Sequence, residues 1–167
     1  MKINPKIIYN HCYILLNNVT PCLSDCGTRC GAVCCKDSEA GTGMYLYPGE
    51  ECMFKSSPDW ASIEPSGFFS LGKEVRILSC PGRCDRDLRP LACRIFPLIP
   101  YKKNGENMKI IFDPRATAMC PLLPKDLTDT FCDAVTRAMN TVVKTREGRA
   151  FIEAQSALID EYVRLYL

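Results

Sequence analysis

Apolar residues change their spacing twice along this chain, and the changes mark out its elements. Ile7, Ile8, Ile14, Leu15 and Leu16 predict a lead-in element, ending at about residue 20, that docks on the body. After a cysteine-rich stretch the pattern shortens to runs bounded by turn residues. "GTGMYLYPGEECMF" predicts a short strand, a Pro48-Gly49 turn and a return that carries Cys52. "SGFFSLGKEVRILSC" predicts a hairpin turning at Gly72-Lys73, whose second strand delivers Cys80. "RIFPLIPYKKNGENMKIIFDP" predicts a further hairpin with Asn104-Gly105 at its turn, joining Cys93 to Cys120.

From Pro124 the period becomes helical. Leu127, Phe131, Val135, Ala138 and Val142 recur at one spacing, and Phe151, Ala154, Leu158, Tyr162 and Leu165 repeat it after a break near Lys144 to Gly148. These elements predict an α+β fold: a small single domain over residues 1–167. Cys-rich metal-binding loops and short β-hairpins occupy residues 22–120, and a C-terminal helical pair fills about 126–167. No internal repeat, low-complexity tract or long linker interrupts it.

Length and charge narrow the reading only slightly. A chain of 167 residues buries a core without needing covalent staples. A net charge of +2 gives no general pull toward nucleic acid or anionic lipid. Cysteine changes the picture, because twelve of them is several times ordinary usage. Asn10 and His11 interrupt the apolar N-terminal run and no small-residue cleavage site follows, so no signal peptide is expected. No apolar stretch reaches about 18 residues, so no membrane span is expected. The expected setting is a reducing cytoplasm, where clustered thiols are metal ligands rather than disulfides. The disulfide alternative predicts that reductant, not chelator, unfolds the protein.

"CLSDCGTRCGAVCCK" holds Cys22, Cys26, Cys30, Cys34 and Cys35. A helix over this stretch would align four of them but stretch them over about 18 Å, too far for one metal or small cluster. Pro21, Gly27 and Gly31 favour a looped path instead. Neighbouring side chains diverge, so of Cys34 and Cys35 one is expected to ligate and the other to serve a second site or pack. A second group comprises Cys80, Cys84 and Cys93, with further thiols at Cys52 and Cys120. These ten are the candidate ligands, enough for two four-thiolate sites with two spare. Cys132, between Phe131 and Asp133, reads as a small core residue, and Cys12 reads as packing in preference to a ligand pair with His11.

Structural zinc usually takes thiolates from C-x2-C turns, and here the close spacings are C-x3-C and CC. Iron-sulfur clusters accept more varied spacings, and prolines follow Cys80 and Cys120 as one follows the last cysteine of bacterial ferredoxin runs. The expected cofactor is an iron-sulfur cluster, of the 4Fe-4S type, or zinc; Cu(I) suits thiolates equally but nothing singles it out. Such a charge must be offset. Arg83, Arg86, Arg89 and Arg94 surround Cys84 and Cys93; Arg86 reads as solvated, whereas Arg89 and Arg94 are the expected supporting cations behind the ligands.

"CGTRCGAVCC" followed by "CDRDLRPLACRIFP" resembles the YkgJ-like cysteine-cluster family, described as zinc- or iron-chelating. The matching positions are Cys26, Cys30, Cys34 and Cys35, then Cys84, Arg89, Pro90, Cys93, Arg94, Phe96 and Pro97, with Cys52 and Cys120 corresponding loosely. The likeness spans roughly residues 22–120. It departs in the three-residue spacings of the first block and in the added Cys22, so the family's ligand partition does not transfer. A related motif in flagellin lysine N-methylases looks like an iron-sulfur site. The resemblance implies metal chelation and little about a reaction.

The leading expectation is therefore a metal-binding protein. The alternatives are a redox or methyl-transfer enzyme component, or a zinc-stabilised interaction module with an unidentified protein partner. His11 is the sole histidine and no phosphate-binding glycine loop occurs. Asp85 and Asp87 read as loop solvation rather than carboxylate chemistry. Tyr162, Tyr166 and Leu167 are candidates for an exposed patch, against the more usual packing of such a stripe.

Overall fold

The computed structural model describes residues 4–23, 31–35, 43–54, 59–80, 82 and 84–167. The expectations for Cys26, Cys30, Gly27 and Arg83 lie outside the described residues.

The lead-in is a helix, α1 (Pro5–Leu16). It starts where it does because the Asn4 side chain accepts a hydrogen bond from Lys6 N at 3.0 Å and Pro5 occupies the first helical position. It buries Ile8, Tyr9, Cys12 and Leu16. The expected contacts of Ile7 and Ile14 are not made: these are 64% and 71% exposed, because at 3.6 residues per turn the face containing Ile8, Cys12 and Leu16 excludes them.

Three strands form one antiparallel sheet in the order β1 (Met44–Tyr45), β3 (Lys73–Ser79), β2 (Ser62–Ser70). The β2–β3 hairpin turns at Leu71-Gly72, both at positive φ (50° and 71°), one residue earlier than Gly72-Lys73. Pairing Ser70 with Lys73 leaves those two residues as the loop, and a pair of left-handed residues matches the strand twist. After Pro48-Gly49 the chain returns as a 3-10 turn, Glu50–Met53, rather than a strand. A short helix, α2 (Leu91–Ile95), precedes the second hairpin, β4 (Leu98–Tyr101) with β5 (Lys109–Phe112). Its connection contains the expected Asn104-Gly105 turn, closed by Glu106 N donating to Lys103 O at 3.1 Å.

The C-terminal pair comprises α3 (Asp129–Val142) and α4 (Arg146–Tyr166). Each begins on a threonine: Thr128 accepts from Phe131 N at 3.3 Å and Thr145 from Gly148 N at 2.9 Å. Gly148 is required by space, since a Cβ there would collide with Val142 O. On α3 the expected stripe of Phe131, Val135, Ala138 and Val142 is buried. On α4 the buried residues are Gly148, Phe151, Ile152, Gln155, Ser156 and Ile159, while Leu158 and Leu165 face outward. One core joins α1, α2, α3 and α4 around Tyr47, Phe131 and Phe151, with the Tyr47 and Phe151 rings edge-on at 4.9 Å. The fold is α+β. No helix among the described residues is long and apolar enough to cross a membrane.

Candidate metal centre

The polypeptide approaches the site from three directions. Gly31 and Ala32, at φ 61° and 54°, reverse the chain into a 3-10 turn over Val33–Cys35, closed by Cys35 N donating to Ala32 O at 2.8 Å. The strand β3 ends at Ser79, immediately before Cys80. The segment from Cys84 to Cys93 runs through a 3-10 turn, Arg86–Leu88, into α2.

Residues distant in the chain meet here electrostatically. Burial pushes the Cys84 thiol up, with Cys80 and Cys35 adding to the effect, while a hydrogen bond and positive charge from Arg89 oppose it. The Cys93 thiol is pushed up strongly by burial and then by Cys84, Cys35 and Cys80. Arg89 is pulled down by burial, but its hydrogen bond to Cys84 and the charges of Cys35, Cys84 and Cys93 hold it above its ordinary value. Cys35, Cys80, Cys84 and Cys93 therefore share one electrostatic neighbourhood with Arg89. The Arg89 Nε is buried without a hydrogen-bond partner among the described residues.

Cys34 and Cys35 do not diverge as neighbours in an extended chain would: their sulfurs are 4.0 Å apart. The tight turn rotates both side chains to one side. The Cys34 hydrogen bond pulls Cys35 down to about 6, partial burial opposing and Arg89 assisting. A tetrahedral zinc site with sulfurs about 2.3 Å from the metal has a sulfur-sulfur edge of roughly 3.8 Å. The Cys34-Cys35 pair thus has the spacing of one such edge, and an all-thiolate donor set suits zinc or iron. Among the described residues, no group of three or more His, Cys, Asp or Glu side chains is placed to hold a metal ion.

The remaining candidate ligands sit on several elements. Cys22 is buried, on a bend where the Thr20 hydroxyl donates to Cys22 O. Cys52 is on the Glu50–Met53 turn, beside Glu51, Lys6 and Glu50. Half-buried Cys120 is held by its N-H donating to Ala116 O at 2.7 Å. Cys12 is core: its sulfur donates to Ala138 O at 3.5 Å, and burial pushes it up to about 12. Cys132 packs against the core from its edge.

The two expected cations differ. Arg89 faces the thiols, whereas Arg94 directs its donors at protein oxygens: Nε to Arg89 O at 2.7 Å, Nη2 to Asp87 O at 2.6 Å and Nη1 to Asn17 Oδ1 at 2.8 Å. Its guanidinium also covers the Tyr13 ring at 4.1 Å. Arg86, expected to be solvated, donates to Val19 O at 2.6 Å and so ties the site loop to the segment after α1. Asp85 caps the 3-10 turn by accepting from Asp87 N at 3.2 Å. At the far end of α4 the Tyr162 and Tyr166 rings lie 5.1 Å apart, tilted at 37°, and Tyr166 and Leu167 are exposed.

Glu50 and Tyr13 are not apparent from motif spacing. Glu50 is wholly buried, with Oε1 accepting from Tyr13 Oη at 2.7 Å and Leu91 N at 2.5 Å, and Oε2 from Tyr47 N at 2.9 Å. Burial raises its carboxyl to about 7 against these donors and Arg94. Burial also pushes the Tyr13 phenol far up, with Glu50 adding to the shift, which keeps it a donor. A signal was available in the sequence only as an acidic pair, Glu50-Glu51, next to a Pro-Gly turn.

No family model, no curated protein and no solved structure matches this chain.

Proposed function

We propose that this is a metal-binding protein of a reducing, cytoplasmic setting, whose cysteine thiolates hold an iron-sulfur cluster or zinc. The observation that carries the reading is the 4.0 Å approach of the Cys34 and Cys35 sulfurs, in a chain with twelve cysteines, where Cys35, Cys84 and Cys93 all lie within electrostatic reach of Arg89. Cys34 completes an edge beside Cys35. Burial favours the neutral thiol form of Cys84 and Cys93, and a bound cation or cluster would displace those protons and stabilise the thiolates. Cys22, Cys26, Cys30, Cys52 and Cys120 are the further ligands the reading draws on. The likeness of "RPLACRIFP" to the YkgJ-like block points to the same chemistry.

The test is anaerobic purification followed by iron, sulfide and zinc analysis, with a visible spectrum. Iron and sulfide in matching amounts with broad thiolate-to-iron absorbance are expected for a cluster; a colourless protein with stoichiometric zinc is expected for the alternative. Metal removal by chelator should lower stability, and zinc restored to 100 times its dissociation constant should return about 2.7 kcal/mol. A protein that retains neither metal, and whose denaturation midpoint zinc does not move, would defeat the reading.

A further inference from the structure

The Cys84 to Cys93 segment is held less by its own secondary structure than by three side chains behind it. Pro90, the residue before α2, provides no side-chain cap, and Leu91 is the first residue of that helix. The missing acceptor comes from another part of the chain: Glu50 Oε1 accepts from Leu91 N. The same oxygen accepts from Tyr13 on α1, and the other from Tyr47 N. One carboxylate therefore joins α1, the strand-end loop and the helix that carries Cys93.

Arg94 completes the arrangement from the other side. It bridges the carbonyls of Asp87 and Arg89, which lie between Cys84 and Cys93, and it reaches Asn17 at the end of α1. Tyr13 lies between the two charged groups, donating its hydroxyl to Glu50 and offering its ring to Arg94. Fixing the carbonyl of Arg89 fixes the backbone from which the Arg89 guanidinium reaches Cys84.

We infer that Glu50, Tyr13 and Arg94 are positioning residues, a buried polar clamp that sets the Cys84 to Cys93 segment for metal and couples the site to α1. The metal half of this inference rests on the function proposed above; the preordering half does not. Burying these groups is costly unless each is satisfied, and nearly all their hydrogen bonds go to the segment or to α1. The arrangement lowers the ordering cost that binding would otherwise meet.

The test uses the full chain with Tyr13→Phe and Arg94→Lys, which keep bulk or charge while removing specific donors. Both are first compared with the parent, metal-free and under reductant, by hydrogen exchange resolved to peptides. Amides from Cys84 to Arg94 should exchange at least about tenfold faster in both variants, with α3 protection unchanged, as expected for selective loss of local order. Zinc affinity is then read by competition with a chromophoric chelator, and a loss of about 10- to 100-fold is expected for outer partners of a metal site. Unchanged exchange in that segment, or zinc affinity within about twofold of the parent in both variants despite faster exchange, would overturn the inference. A parent that binds no metal, while its variants still loosen only this segment, would defeat the proposed function and leave the clamp standing as a device for ordering the loop.

Discussion

The α3-α4 pair and the Cys84 to Cys93 segment are both ordered, but by different forces. The helices bury Phe131, Val135, Phe151 and Ile152 in one apolar core and start on their own threonine caps. Their order comes from non-directional burial and from neighbours in sequence. The thiol segment has one short helix, no local cap on it, and a buried carboxylate and guanidinium from and toward other elements. Its order depends on directed bonds, each lost entirely when one partner goes. Apolar packing can hold a scaffold through small changes, whereas a site made of loops needs point-by-point restraint.

The largest test of that division is Phe151→Ala. It removes a fully buried ring that contacts Tyr47 and Phe68, and a loss of about 3–5 kcal/mol is expected from cavity formation. Denaturant unfolding with and without excess zinc should give the same loss. A loss that zinc abolishes would break the distinction between scaffold and site.

A pH series probes the polar side. Glu50 titrates at about 7 in the folded protein against an ordinary 4.5, so between those values the folded chain holds a proton that the unfolded chain releases. Stability then falls as pH rises through this window and stays lowered above it, by on the order of 3 kcal/mol. Glu50 faces Tyr13, Tyr9 and Cys12 from α1, Tyr47 and Cys52 from its own loop and Arg94 and Cys93 from α2. Burial holds the phenols and the Cys12 thiol protonated across this range. Cys35 changes charge near 6, but it does so in the parent and in Glu50→Gln alike. The parent should therefore gain stability relative to Glu50→Gln as pH falls from 8 to 5, read from paired denaturant midpoints; a constant difference would contradict the buried carboxyl.

The smallest effect sharpens the comparison from the helical side. Thr145→Ala removes the acceptor for Gly148 N and should cost about 1 kcal/mol, measured by thermal unfolding. Hydrogen exchange in the loop from Cys84 to Arg94 should be unaffected. Loss of loop protection would show that the two regions are less separate than their contacts imply.

Much of the scaffold is legible in the sequence because its signals are local. Asn104-Gly105 marks a turn, the interval from Lys144 to Gly148 marks a helix break, and the period of Phe131, Val135, Ala138 and Val142 marks a buried face. Legibility weakens where two faces compete. On α1 the choice of Ile8 over Ile7, and on α4 of Ile159 over Leu158, depends on where the partners lie. The return after Gly49 is hard to read because Glu50 looks like a surface residue until its three donors are known. Arg94 likewise reads as a cation for the thiols and Arg86 as solvated, although the partners of both are backbone oxygens, with Asn17 added for Arg94.

By itself the sequence determined the α+β alternation, the two C-terminal helices and an exceptional supply of thiols, because periodicity and composition are properties of neighbouring residues. Only the tertiary structure decided that Cys35, Cys80, Cys84 and Cys93 share a neighbourhood with Arg89, and that Glu50 reaches Tyr13 and Leu91 from 37 and 41 positions away. Those contacts are between residues far apart in the chain, and no local spacing encodes which distant donor will meet a buried carboxylate once the helices have packed.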